Sequence, residues 1–385
     1  MQTHRFNKQE FAEPQPRRPH NVNPSINSAY VILAVKNFAS IPGVCHIGLG
    51  VTATCTMKVL RRNGVRVEAW SLQTKKSDSS FEFKELMRKL KAAEAAACRG
   101  VCPPITHVIV SAPSWIQPDQ FHALCLEFPE TEFVQLNHSG CSYLSIDKFG
   151  IRNIRQCIDL ESSIHNMRVA GNNPRFTKWT SEAFGVETLL LPNLYDTESF
   201  VNPIPPRRLG GTLRIGSFGA GRPWKNQLTA AEAAVQLARA MGTKLELYVN
   251  SKRPDGGERM IESRAELFDG LPGCRIIDVP WARWPRFRDI SATMHILFQP
   301  SFDETFNVVT ADGIAEGVPS VTDSSIEWTP QSWWCRPEDP SSIVHVAMEL
   351  LHHPNAVYEA RRQLVQFVNH GIGLWLDYLL HRPTV

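Results

Sequence analysis

The chain has 385 residues, of which 43% are hydrophobic and 21% are charged, and its formal net charge is +3. This length suffices for two domains with full cores, and the composition is that of an ordinary globular protein. The small net charge gives no argument for a nucleic-acid or membrane-surface partner. The sequence has no apolar run of about 18 residues that predicts a spanning helix. The N-terminus lacks the apolar core of a signal peptide, and the nine scattered cysteines fit a reducing compartment, so we expect a cytoplasmic location.

Residues 1–28 contain four prolines and more basic than acidic side chains. This composition predicts a disordered basic, proline-rich arm. A solvated tail and a contact for an acidic partner are both compatible with it.

From residue 29 onward, strand patterns alternate with helical patterns. Helical periodicity occurs after each of the first two strands, in VTATCTMKVLRRNG and in SFEFKELMRKLKAAEAAA. Such alternation indicates a parallel sheet that helices cover on both faces. The predicted strands of the first half are AYVILAV (29–35), VRVEAWSL (65–72), THVIVSAP (106–113), EFVQLNHSG (132–140), NMRVAGN (166–172) and VETLLLPN (186–193).

The segment NPIPPRRLGG (202–211) interrupts this alternation and reads as a linker. A second alternation follows, which predicts two doubly wound α/β domains that face a cleft. We expect a first domain over residues 29–201, a second over 212–370, and a C-terminal helix over 371–385. The predicted strands of the second half are TLRIGSFG (212–219), KLELYVN (244–250), CRIIDVP (274–280), MHILFQP (294–300) and PSVTD (319–323).

Two acidic residues stand eight positions apart in PSFDETFNVVTADGIAEGVPSV (300–321). Glu304 falls in the loop after a predicted strand, and Asp312 falls about two turns into the next helix. The backbone amides that open this helix form a natural anion site. Carboxylates accept hydrogen bonds from hydroxyl groups, so the combination suits a ligand with both phosphates and hydroxyls. The amides belong to Thr305, Phe306, Asn307 and Val308. Capping of the helix by Asp303 or Glu304 is the alternative.

A second motif, GSFGAGRPWKN (216–226), ends a predicted strand and opens a helix. Its glycines allow a ligand to approach the backbone, and Arg222 and Lys225 suit a diphosphate. The glycine order differs from that of the dinucleotide fingerprint, which disfavours an NAD-dependent oxidoreductase. A turn with exposed basic residues is the alternative.

Together these motifs make the second half resemble the retaining GT-B glycosyltransferases, in particular family 4. The matching residues are Gly221, Arg222 and Lys225, then Glu304, Asp312 and the segment Gly-Val-Pro-Ser-Val at 317–321. The resemblance covers about residues 211–330. Asp312 departs from the glutamate that is usual in the family.

The resemblance implies a role for each of these residues. Arg222 and Lys225 would hold the donor diphosphate and stabilise the leaving group, while Gly221 would let it approach. Glu304 would contact hydroxyls of the donor sugar, and Asp312 would contact the ribose of the nucleotide.

The first half resembles the same family more loosely. HIGLG (46–50) occupies the place of a glycine loop near the donor phosphates, which implicates Gly48 and Gly50. His138, after a predicted strand, matches a histidine that lines the catalytic cleft. A purely structural histidine at a strand end is the alternative.

The sequence therefore predicts a retaining glycosyltransferase that uses a nucleotide-sugar donor, UDP- or GDP-linked, with no cofactor. Because no Asp-x-Asp occurs at a strand end, we expect metal independence. The acceptor stays open between a glycan, a lipid-linked sugar and a hydroxylated DNA base, as for some virus-encoded GT-B enzymes. A non-catalytic nucleotide-sugar-binding protein is the alternative from another class.

Overall fold

The computed structural model describes residues 29–37, 47–73, 80–111, 115–205 and 208–380. The predicted arm over residues 1–28 and the end of the predicted C-terminal helix, residues 381–385, lie outside these ranges.

The first domain is built on a parallel sheet of six strands in the order β2-β1-β3-β4-β5-β6. The strands are β1 (Tyr30–Asn37), β2 (Arg66–Gln73), β3 (His107–Ser111), β4 (Glu132–Asn137), β5 (Met167–Gly171) and β6 (Leu189–Leu190). The helices are α1 (Ile47–Arg62), α2 (Phe81–Cys98), α3 (Pro118–Glu127), α4 (Cys141–Leu144), α5 (Gly150–Glu161) and α6 (Pro174–Phe184). The central strand β3 is buried along its whole length, as expected for a sheet covered on both faces.

The second domain has a parallel sheet of five strands in the order β11-β10-β7-β8-β9. The strands are β7 (Thr212–Ser217), β8 (Lys244–Val249), β9 (Cys274–Asp278), β10 (Ile296–Phe298) and β11 (Ser320–Val321). The helices are α7 (Gln227–Ala240), α8 (Glu258–Phe268), α9 (Trp284–Ala292), α10 (Val308–Ala315), α11 (Pro340–His352) and α12 (Ala356–Leu380). The predicted fold class of two doubly wound parallel-sheet domains is confirmed.

The strand order reverses between β1 and β3 in the first sheet and between β7 and β10 in the second. In open parallel sheets a ligand binds outside the carboxyl ends of the strands at such a switch point. The loop after β7 and the loop after β10 therefore mark the place where the second domain would bind a ligand. Both predicted motifs lie in these two loops.

Helix α12 is a single helix of 25 residues that contacts both domains. Near its start, the Arg361 guanidinium donates to the Ile314 carbonyl oxygen of α10 at 3.0 Å. Near its end, Trp375 Nε1 donates to the Pro192 carbonyl oxygen of the first domain at 2.9 Å. The predicted boundary after residue 370 falls inside this helix. The other predicted domain limits remain predictions.

We expect Trp375→Ala to lower the free energy of unfolding by about 3–5 kcal/mol, since this indole is 1% exposed and its removal leaves a large cavity. Urea denaturation measures the change. Tyr358→Ala is a matched control on the same helix: Tyr358 is 51% exposed, so its loss should cost within about 0.5 kcal/mol. Equal effects of the two substitutions would contradict the bracing role of the end of α12.

Candidate active site

A cavity of about 710 Å³ lies between the two domains, at the carboxyl ends of both sheets. This volume is in the range of small-molecule and cofactor sites, about 300–1,000 Å³. Both domains supply its walls. The lining includes Gln135, Asn137 and His138 of the first domain and Gly219, Arg222 and Glu304 of the second.

The loop after β7 brings Arg222 to the cavity. Gly219 has φ +120°, a conformation that side chains rarely adopt, so glycine is required there. The Arg222 guanidinium forms an ion pair with Asp255 at 3.0 Å. It also lies 5.0 Å from the centre of the Tyr143 ring, which belongs to the first domain. A phosphate group entering the cavity would therefore meet a cation that both domains already position.

Lys225 and Glu304 form an ion pair between the two predicted motifs. The same carboxylate oxygen, Glu304 Oε1, accepts hydrogen bonds from Ser301 Oγ and from Asn307 Nδ2, both at 3.1 Å. The Glu304 side chain is 9% exposed and that of Lys225 is 15% exposed. The two loops at the switch point of the second sheet are thus joined by a largely buried, hydrogen-bonded charge pair.

Helix α10 is capped by Asn307, whose side-chain oxygen accepts from Thr310 N at 2.9 Å. Asn307 has φ 59°, in the left-handed region that asparagine tolerates better than most residues. The alternative interpretation, capping by Asp303 or Glu304, is therefore wrong. Glu304 instead faces Lys225, and Asp303 reaches the first domain.

The loop that contains Glu304 is also held by the first domain. One carboxylate oxygen of Asp303 accepts from Ser142 N, at the start of α4, at 2.8 Å. Arg175 of α6 donates to the Glu304 carbonyl oxygen and, at 2.7 Å, to the Ser325 carbonyl oxygen. Gly140 is required next to Asp303, since a Cβ there would stand 2.2 Å from its carboxylate. These contacts fix the loop across the cleft.

His138 lies at the cavity, after β4. Its Nδ1 is 3.2 Å from Asn172 Nδ2, and its Nε2 is buried without a hydrogen-bond partner among the described residues. Burial lowers the pKa of His138 to about 4, so the imidazole is neutral near pH 7. Because Nδ1 accepts from the Asn172 amide, the proton of the neutral ring resides on Nε2. This nitrogen is therefore a hydrogen-bond donor without a partner among the described residues.

Asp312 lies in α10, as predicted, and is buried. It is 1% exposed, and its Oδ1 accepts from the Tyr195 hydroxyl at 2.7 Å and from Trp284 Nε1 at 2.8 Å. Burial raises the pKa of Asp312 to about 7. Asp312 is also among the residues that line the cavity. Contact with a ribose remains a prediction for this residue.

Gly48 and Gly50 do not form a loop, and that prediction is wrong. Both lie in the first turn of α1, which begins at Ile47. Each of the two glycines destabilises a helix by about 1 kcal/mol relative to alanine. The side chains of Val51 and Cys55 in the following turns are buried in the core and stabilise the helix. Gly48 lines the cavity, so it contributes a helix N-terminus there instead of a glycine loop.

Sequence reasoning missed a group of polar atoms that are buried around the cavity without a partner among the described residues. They are Gln135 Oε1, Asn153 Nδ2, Asn193 Oδ1 and Trp281 Nε1, and they add to His138 Nε2. Leaving such a group unpaired costs about 1–3 kcal/mol, so each is a candidate partner for ligand hydroxyls. A glutamine inside the apolar strand β4 was the sequence signal for one of them.

Across the part of the chain that the structure describes, no three His, Cys, Asp or Glu side chains are grouped so as to hold a metal ion. Within the same ranges, no helix has both the length and the apolar character that crossing a membrane requires. The remaining predicted residues lie at the switch point: Gly221 in the loop after β7, Thr305 and Phe306 in the loop after β10, and Val308 as the first residue of α10. The last three line the cavity.

This geometry is that of the GT-B fold, and solved structures share it. A UDP-forming alpha,alpha-trehalose-phosphate synthase from Burkholderia xenovorans matches 93% of this chain over 100% of its own, with TM-score 0.59 and 12% identity. Sucrose-phosphate synthase from Thermosynechococcus elongatus matches 90% of this chain over 98% of its own, with TM-score 0.61 and 14% identity. The catalytic domain of starch synthase IV from Arabidopsis thaliana, bound to ADP and acarbose, matches 90% of this chain over 100% of its own. Its TM-score is 0.55 and its identity 11%.

No protein-family model matches the sequence, and no curated protein matches it. At the identities given above, the likeness to solved structures shows the fold alone.

We expect Asp312→Asn to flatten the pH dependence of stability. An unfolded aspartate titrates near pH ~3.9, whereas Asp312 titrates at about 7 in the folded chain. Between these pH values the folded state binds more protons than the unfolded state, so protonation of Asp312 stabilises the fold. This stabilisation is present at low pH and is lost as pH rises through 7. Asparagine keeps an acceptor oxygen for Tyr195 and Trp284 but cannot ionise.

The measurement is the free energy of unfolding of wild type and variant between pH 5 and 8. The wild type should lose stability relative to the variant as pH rises. Asp289→Asn, at a side chain that is 68% exposed, serves as the control. Its unfolding free energy should depend on pH as that of the wild type does. Parallel curves for wild type and Asp312→Asn would contradict the assignment.

A second prediction concerns Arg175. Arg175→Met keeps the aliphatic stem but leaves the Glu304 and Ser325 carbonyl oxygens without this donor, so we expect a loss of about 2–3 kcal/mol of unfolding free energy. Glu327→Gln is the control, because it removes only a half-exposed ion pair with the same arginine at 3.3 Å. That pair should contribute at most about 1 kcal/mol. If the control costs as much as Arg175→Met, the carbonyl contacts do not hold the loop.

Proposed function

We propose that the chain is a glycosyltransferase that moves a sugar from a nucleotide-sugar donor to an acceptor hydroxyl. The observation that carries this proposal is the convergence of Arg222, Lys225 and Glu304 at the switch point of the second sheet, facing His138 across the cavity. We further infer a retaining, metal-independent enzyme related to family 4. The similar solved structures that are UDP-forming or bound to ADP support a nucleotide-linked donor. A cytoplasmic location remains a prediction from the cysteines.

The donor diphosphate would bind at Arg222 and Lys225. In the structure these cations pair with Asp255 and Glu304. A diphosphate offers two or more acceptor oxygens to the same donors, so its binding exchanges internal ion pairs for charge-assisted hydrogen bonds. The N-terminal amides of α10 add a favourable dipole for the anion.

The donor sugar would then lie between Glu304 and His138. A carboxylate accepts hydrogen bonds from sugar hydroxyls, and the protonated Nε2 of the neutral imidazole donates one. Both groups are fixed before the ligand arrives, Glu304 by Ser301 and Asn307 and His138 by Asn172. Such preorganisation is how a site of this kind positions a reacting carbon.

In the transfer step, the bond between the sugar's anomeric carbon and the phosphate oxygen breaks, and its electron pair stays on the phosphate. The acceptor oxygen bonds to the same carbon from the same face, and its proton passes to a phosphate oxygen. Arg222 and Lys225 stabilise the negative charge that develops on the leaving diphosphate. The chain supplies position and charge stabilisation, and no separate basic side chain is needed.

A non-catalytic nucleotide-sugar-binding protein is the second candidate. It is favoured by the internal pairing of Lys225 with Glu304 and by the engagement of Asp312 with Tyr195 and Trp284. Slow hydrolysis of the donor in the absence of acceptor distinguishes the two, since only a catalyst releases free sugar.

The test begins with a thermal-shift screen of UDP-, GDP- and ADP-sugars on the full chain. At a hundredfold excess over Kd, a bound ligand stabilises the folded state by about 2.7 kcal/mol. The donor that binds is then used in assays of hydrolysis and transfer. A chain that binds none of these donors contradicts the proposal.

We expect Arg222→Ala and Lys225→Ala each to reduce turnover of that donor by about a hundredfold or more, because each removes a charge that stabilises the leaving group. Arg239→Ala, which removes an exposed arginine on α7, should leave turnover unchanged. Wild-type turnover in both variants would contradict the assignment of the diphosphate site.

A further inference from the structure

A groove of about 500 Å³ lies on the surface of the first domain, between α3 and α5. It lies next to the interdomain cavity, since Asn153 is a lining residue of both. The predicted site residues are not part of it. Its walls carry mainly amide and charged side chains, among them Gln117, Asp119, Arg152, Gln156 and Asp159, beside one phenylalanine ring, Phe149. Pro118, His122 and Leu160 complete the lining.

Asn153 stands at the junction of groove and cavity with an unsatisfied donor. The residue is 3% exposed, and its Nδ2 has no hydrogen-bond partner among the described residues. Gln135 Oε1, which lines the cavity from β4, is fully buried and equally unpaired. Buried amides are normally satisfied, so a missing partner on each indicates a ligand with both donors and acceptors. Neutral hydroxyl groups have this property.

Phe149 gives the groove an apolar wall. Its side chain is 40% exposed, although a phenylalanine ring is usually buried. Two cations lie near the ring, Lys148 at 5.3 Å and Arg152 at 5.7 Å from its centre. An exposed ring next to amide side chains matches the two faces of a sugar, whose C–H bonds form an apolar face and whose hydroxyls lie at its edge.

The charge of the groove disfavours the other open acceptors. Its walls carry Asp119 and Asp159 beside Arg152 and His122, and Lys148 lies near the Phe149 ring, so the charges are mixed and the surface is not basic. A DNA backbone or a phosphorylated acceptor requires a basic surface, since phosphate contacts supply most of the affinity for nucleic acid. The one aromatic ring offers too small an apolar area for a lipid chain.

We propose that this groove is an acceptor subsite for an oligosaccharide, and that Asn153 and Gln135 hold hydroxyls of the acceptor where groove and cavity meet. The terminal sugar then lies in the cavity, and the preceding sugars lie against Phe149. This inference rests on the proposed function for the reacting end of the acceptor. It adds that the acceptor is a neutral saccharide of at least two units.

The test is isothermal titration of the full chain with three series of neutral sugars: maltose-type, cellobiose-type and chitobiose-type, each from one to four units. In one series the affinity should rise about tenfold or more from the monosaccharide to the trisaccharide. Phe149→Ala should reduce this ratio by about tenfold, the effect of losing one aromatic contact. The exposed position of Phe149 keeps this variant folded.

Tyr358→Ala, at another exposed aromatic residue far along the chain, should leave the ratio unchanged. Absence of binding in all three series, a ratio near one, or an unchanged ratio in Phe149→Ala would overturn the inference. The inference would also be overturned by two results together: the chain binds sugars of all lengths equally, and a DNA duplex with 5-hydroxymethylcytosine displaces the bound trisaccharide.

Failure of the proposed function gives a different result. If the trisaccharide binds in the groove but no UDP-, GDP- or ADP-sugar binds, the subsite stands and the donor assignment falls. If a donor binds and is hydrolysed while no saccharide series shows a length effect, the glycosyltransferase proposal stands and the subsite falls.

Discussion

The loop from Ser301 to Asn307 is the element on which the cleft depends, because it is held from both of its sides. Within the second domain, Glu304 pairs with Lys225 and thereby ties the β10 loop to the β7 loop. From the first domain, Arg175 donates to the Glu304 carbonyl oxygen, and the Ser142 amide donates to the Asp303 carboxylate. One seven-residue segment thus fixes the distance between the domains and the position of the predicted donor-binding charges.

A largely buried ion pair such as Lys225–Glu304 is a weak source of stability, since desolvation of both charges offsets most of their attraction. The pair is more informative about how Lys225 and Glu304 would respond to a bound diphosphate. Removal of either partner leaves an unpaired buried charge, whereas an incoming diphosphate supplies a new anion for Lys225. Glu304 would then keep its bonds from Ser301 and Asn307 and turn its remaining capacity toward sugar hydroxyls. This geometry is therefore compatible with donor binding at low reorganisation.

Much of the fold could be predicted because buried parallel strands are short apolar runs with clear breaks between them. All predicted strands occur in the structure, and the two switch-point loops coincide with the two predicted motifs. The start of α1 could not be predicted, since Gly48 and Gly50 favour a loop locally and only burial of Val51 and Cys55 overrides them. The cap at Asn307 and the contacts of Asp303 were hidden for a related reason. A sequence shows that a residue can accept a hydrogen bond but not which donor tertiary structure brings to it.

The two walls of the cavity differ in chemistry. The second domain presents Arg222 and Lys225 with their acidic partners, and an anionic ligand there would replace those partners. The first domain presents amides and His138, whose burial keeps its pKa near 4 and its ring neutral. A neutral imidazole donates a hydrogen bond without adding a second positive charge, so it does not compete with the cations for the phosphate. Lys36 and Asp147 of the first domain also line the cavity, so the contrast concerns the groups around the predicted reaction centre. There the paired cations lie on the side where a leaving group would depart, and the amides and the neutral imidazole lie on the side where hydroxyls would approach. This separation favours a ligand pair with one anionic and one polyhydroxylated partner, which is the pair that sugar transfer requires.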